Sequence, residues 1–137
     1  MLIKNSGSVL ALTAILAMLG CATTRRLATS PTMPAAEGNV AFSATRNNNT
    51  RIRLRVKHLA YPEKLTPPAS IYVVWIRATK DAQAQNIGAL VINKNLVGEL
   101  DTETPLHSFE LFITAEASGQ VQSPAGQFLL WTSYSRF

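Results

Sequence analysis

The chain has 137 residues, 47% of them apolar and 15% charged, with seven glycines, seven prolines and one cysteine. That length accommodates one small domain with an ordinary core and excludes a second, while the composition excludes a disordered or collagen-like chain. The formal charge of +5 is too mild for a nucleic-acid-binding surface, and a single cysteine excludes an internal disulfide or a cysteine-built zinc site.

The first element is a leader. Lys4 precedes an almost unbroken apolar run over 9–19, which ends in Met18-Leu19-Gly20-Cys21. The run is much shorter than the roughly 20 residues that span a bilayer, so 1–20 reads as a secretory signal peptide and not as a membrane helix. All eight acids lie beyond Cys21, so loss of the leader removes only Lys4 and leaves 12 basic against 8 acidic residues, or +4. The Met-Leu-Gly-Cys ending resembles the lipobox of bacterial lipoproteins, in which a small residue precedes the cut and the cysteine thiol accepts diacylglycerol. Met18 stands where leucine is usual, with similar volume and apolarity. The resemblance implies cleavage before Cys21, lipidation there with fatty chains such as palmitate, and an extracytoplasmic protein whose first partner is membrane lipid. Ala22 follows in place of the aspartate that retains lipoproteins at the inner membrane, which implies the outer membrane in a Gram-negative cell.

Residues 21–36 are rich in Thr, Ser, Pro and Ala and show almost no periodicity, so they read as a flexible tether. Arg25 and Arg26 lie close enough to the lipid to meet anionic headgroups; as two solvated charges on a tether they need no partner.

From Glu37 onward the apolar pattern has period two, broken every eight to twelve residues by turn formers. That is the pattern of an all-β domain over 37–137: a seven-stranded immunoglobulin-like or cupredoxin-like β-sandwich. The strands are expected at 38–45, 51–59, 70–79, 85–93, 96–102, 107–116 and 127–134. The third contains Ile71-Tyr72-Val73-Val74-Trp75-Ile76, which is apolar throughout and so belongs in a sheet's middle or under cover on both faces.

The second strand alternates Arg51, Arg53, Arg55 and Lys57 with Ile52, Leu54 and Val56. The basic row could contact an anion or a partner. The fifth strand carries Glu99, Asp101 and Glu103 at the same spacing, and second and fifth strands are antiparallel neighbours in immunoglobulin-like sandwiches. The preferred reading is therefore a ladder of opposite charges, Arg53 near Asp101, Arg55 near Glu99 and Arg51 near Glu103, with Lys57 unmatched.

No nucleophile elbow, zinc-protease motif or phosphate-binding glycine loop occurs, so no catalytic residue is expected. Cys21 lies outside the domain, so His58 and His107 cannot complete a cupredoxin copper site, and neither metal nor cofactor is expected. Glu110 and Glu116 are six residues apart on one strand, about 20 Å, too far for paired glycosidase carboxylates. Tyr72, Trp75 and Trp131 could line a carbohydrate or peptide groove, but in central strands they read as core.

Four segments, Tyr72-Val73-Val74-Trp75-Ile76, Asn86-Ile87-Gly88-Ala89-Leu90, Phe112-Ile113-Thr114-Ala115-Glu116 and Ser123-Pro124-Ala125-Gly126, resemble the extracytoplasmic domain of anti-sigma-K factors. The resemblance covers about half of the chain. It implies a β-sandwich and singles out Thr114 and Glu116. The family's cytoplasmic sigma-binding segment and membrane helix have no counterpart in this sequence, so only a sensory or scaffolding role would carry over. The expected function is thus a lipid-anchored, non-enzymatic binding or sensory module with an envelope protein as partner. The alternative is a structural envelope lipoprotein without a discrete ligand site.

Overall fold

The computed structural model describes residues 21–136; the signal peptide expected over 1–20 lies outside the described residues. Among the described residues nine strands form: β1 (Thr23–Arg26), β2 (Ala28–Thr29), β3 (Glu37–Ala44), β4 (Thr50–Lys57), β5 (Ile71–Arg77), β6 (Gln85–Leu90), β7 (Gly98–Thr104), β8 (Ser108–Glu116) and β9 (Phe128–Ser135). A single 3-10 turn, Pro62–Lys64, lies between β4 and β5. The strands make two antiparallel sheets, ordered β1-β3-β4-β7 and β2-β9-β8-β5-β6. The domain is all-β as expected, but its sheets have four and five strands in place of seven in all: β3 to β9 overlap the expected strands, and β1 and β2 are additional.

Alternation decides the inner faces. In β4, Thr50, Ile52, Leu54 and Val56 are buried while Arg53, Arg55 and Lys57 are exposed, and β3 buries Val40 and Phe42. Opposite them, Tyr72, Val74 and Ile76 of β5, Phe109, Leu111 and Ile113 of β8, and Leu129, Leu130 and Tyr134 of β9 complete one core. Phe42 ties the two sheets together, stacking on Tyr134 at 4.2 Å and meeting the edge of Phe109 at 5.6 Å. Burying each such side chain stabilises the fold by roughly 1.5–3 kcal/mol.

β5 is buried from Tyr72 to Ile76, as its unbroken apolar run requires, because its outer face is also covered. There Val73, Trp75 and Phe112 form a second, smaller core, joined by Ile71, Ala84, Val121 and Trp131.

The flexible tether expected over 21–36 is not what the structure contains. β1 pairs with β3, Thr23 opposite Phe42 through Arg26 opposite Asn39, and β2 pairs with β9. Between them the chain passes from one sheet to the other at Leu27, which is buried against Gly38 and donates its amide to the Gly38 carbonyl at 2.8 Å. Met33 and Ala36 are buried as well. Among the described residues the folded unit therefore begins at Thr23 and not at Glu37. The physical reason is that three apolar residues in the segment find places in the core.

The register also gives the sandwich two distinct ends. Thr23, the turn at 45–49, the loops at 78–84 and 105–107, and Arg136 lie at one end, called proximal because Cys21 adjoins it. The loops at 30–36, 58–70, 91–97 and 117–127 lie at the other, distal end.

Candidate binding surfaces

The charge ladder occupies the outer face of the β4–β7 pair. Arg51 is opposite Glu103, Arg53 opposite Asp101 and Arg55 opposite Glu99, the register expected from the sequence. One contact departs from this pattern by a diagonal step. Arg51 grips Asp101 with two hydrogen bonds, Nε at 2.9 Å and Nη2 at 2.7 Å, while Arg53 approaches the same carboxylate at 3.7 Å. Arg55 pairs with Glu99 at 3.0 Å, and Glu103 accepts from the Asn49 amide at 3.5 Å. The hydrogen bond from Arg51 holds the Asp101 carboxyl below its ordinary range, and the same bond raises Arg51. Lys57 lies opposite Glu37 on β3, whose carboxylate approaches Arg26 at 4.0 Å. Three of the four basic residues singled out as an anion strip thus already have carboxylate partners.

Trp75, Thr114 and Glu116 meet on the outer face of the other sheet. The Trp75 indole donates to Thr114 Oγ1 at 2.8 Å, and that hydroxyl donates to Glu116 Oε1 at 2.6 Å. Glu116 Oε1 also accepts the backbone amides of Ala125 and Gly126 at 3.0 and 3.1 Å, although the residue is only 3% exposed. A Cβ on Gly126 would be driven into the Ala115 carbonyl oxygen, so glycine is required there by close approach. On β6, Asn86 donates to the carbonyls of Gly119 and Val121 and accepts the Gly88 amide. Gly88 has φ +140°, and a side chain there would meet Leu100. Together these bonds clamp the β8–β9 loop over Trp75. Sequence reasoning marked Thr114 and Glu116 but missed Asn86 as the second fastening point.

Other expected residues are dispersed. Tyr72 and Trp75 are fully buried and Trp131 half-buried, so they do not line a common groove. The Tyr72 hydroxyl donates to the Ala60 carbonyl at 2.7 Å, and burial pushes its phenol up to about 12, with Glu63 adding to the rise. Glu110 is held by Arg77 at 2.8 Å, and Arg77 also lies over the Phe112 ring. His58 is exposed at the distal end, whereas His107 lies at the proximal end with Nε2 2.7 Å from Asn48 O. Among the described residues no three His, Cys, Asp or Glu side chains converge as metal ligands. Cys21 is exposed and unpaired among the described residues, two residues before β1.

The distal end carries the open apolar surface. Val91 is 75% exposed and Tyr61 42%, and both border one groove of about 170 Å³ floored by Ile71 and Leu90. A neighbouring groove of about 200 Å³ runs between Pro67, Pro68 and the Glu116–Gly126 contact. No family model matches the chain, and no curated protein matches it.

Proposed function

We propose that the protein is an extracytoplasmic lipoprotein, anchored through Cys21, whose β-sandwich is a non-enzymatic binding or sensory module for an envelope protein. The observation that carries this reading is the polarity of the sandwich: an exposed cysteine beside one end, and Tyr61 and Val91 bordering a groove at the other. Large apolar side chains held together in solvent at a groove mark a contact surface more than scattered ones do. The strand order β3-β4-β7 facing β9-β8-β5-β6 supports an immunoglobulin-like sandwich. The resemblance of the four segments to anti-sigma-K domains supports a role in envelope signalling.

A structural envelope lipoprotein is the second reading, favoured by the ladder arginines, whose charges are already matched. Crosslinking in membranes separates the two. Wild-type protein recovers a defined partner that Val91→Asp and Tyr61→Ser lose while still folded. Equal recovery of bulk envelope material by all three supports the structural reading.

A further inference from the structure

We infer that the proximal end of the sandwich rests directly on an anionic lipid surface, with Arg46, Lys80 and Arg136 in the headgroup layer. This rests on the reading of Cys21 as the lipid anchor and adds an orientation to it. Because β1 begins at Thr23, only Cys21 and Ala22 separate the acyl chains from the folded domain. Two extended residues reach about 7 Å, whereas the eight-residue strands β3 and β4 run roughly 27 Å from one end to the other. Thr23 lies opposite Phe42, next to the β3–β4 turn, so the acyl chains can enter the membrane only beside the proximal loops. A charge within that spacer's reach sits inside one screening length, about 8 Å at physiological ionic strength, of the surface.

The side chains at this end suit such a surface. Arg46 and Lys80 are exposed on the turn at 45–49 and the loop at 78–84, and among the described residues neither they nor Arg136 has a carboxylate partner; Asp81 is the opposing charge in these loops. Arg136 is fixed there, donating to the carbonyl and the side-chain oxygen of Asn48, which also contacts His107. By contrast, Arg51, Arg53, Arg55 and Arg77 are all in ion pairs. Charge alone does not select the end, since Lys57, Lys64 and Lys94 lie toward the distal side; the short spacer does.

The experiment uses the full chain, matured in cells, purified with its lipid and reconstituted into vesicles of phosphatidylcholine with phosphatidylglycerol. An engineered thiol, Asn47→Cys at the proximal end or Lys64→Cys at the distal end, carries a fluorophore, and the lipid carries a headgroup quencher. The expected result is loss of most emission at position 47 and none at 64, with the loss at 47 reduced in phosphatidylcholine alone. A Gly/Ser insert of about 20 residues between Ala22 and Thr23, spanning roughly 25 Å, abolishes the loss at 47 while the protein still floats with the vesicles. Equal quenching at both positions, quenching at 64 only, or quenching at 47 that survives the insert overturns the inference while leaving the anchor intact. Absence of an acyl mass on Cys21, with no flotation, overturns the anchor and the inference together.

Discussion

At the scale of single residues, the buried carboxylate of Glu116 is the most constrained polar group on the outer face of its sheet. One oxygen takes a hydroxyl and two backbone amides, which satisfies the group although the residue is only 3% exposed and, among the described residues, no cation pairs with it. Thr114 is both acceptor and donor in this chain of bonds. Thr114→Val leaves the Trp75 indole N–H without an acceptor and should cost about 1–3 kcal/mol in chemical denaturation, with Thr114→Ser restoring most of it. Gly126→Ala forces a methyl group against the Ala115 carbonyl and should lose about 3 kcal/mol, the upper end for overpacking. Tyr72 supplies a pH signature. Its phenol in the folded state is pushed up to about 12, above the unfolded 10, so the folded form holds the proton longer. The associated stability is complete below pH 10 and is lost as pH rises toward 12. Ultraviolet titration should find the Tyr72 phenol ionising late, as a component that Tyr72→Phe removes, and in that variant the alkaline decline should be shallower. Little of this network was legible in the sequence. Trp75, Asn86, Glu116 and Gly126 sit on four separate segments, and no periodicity links them; only the family resemblance drew attention to Thr114 and Glu116.

At the scale of elements, β4 and β7 were legible in position and register because both alternate cleanly, and a one-residue slip would bury a row of charges. What alternation could not show was the diagonal reach of Arg51, since a long side chain can choose between the carboxylate opposite and its neighbour. Charge-reversal cycles should therefore find stronger coupling for Arg51–Asp101 than for Arg53–Asp101, weakening in high salt. Coupling confined to Arg51–Glu103 would contradict the contacts. Asp101 is held below its ordinary carboxyl value, so its contribution is present at neutral pH and fades as pH falls through the folded value. β7 is also a sheet edge, and its row of Glu99, Asp101 and Glu103 keeps another strand from adding there. β1 was illegible for the opposite reason. All four of its residues are exposed, so backbone pairing to β3 holds it and no apolar pattern announces it.

At the scale of the whole molecule, the two ends differ in what adjoins them: Cys21 stands beside one, and an apolar groove lies at the other. Under the proposed function, Cys21→Ser should escape maturation, carrying no acyl mass and keeping its leader, which mass spectrometry of the N-terminus checks. Unchanged sedimentation of a fully processed Cys21→Ser protein would remove the anchor. The distal groove was not visible in the sequence because Tyr61 and Val91 come from different loops, and only the return of β6 beside the β4–β5 connection brings them to one place.

The passage of the chain from β1 through buried Leu27 to β2 has a mechanical consequence. β1 runs from the proximal toward the distal end, so tension between its first residue and a load on the distal loops acts along the strand axis. The four residue pairs with β3 and the plugged leucine then resist sliding together instead of peeling one after another. A domain so threaded can take up strain at its N-terminus without first fraying there.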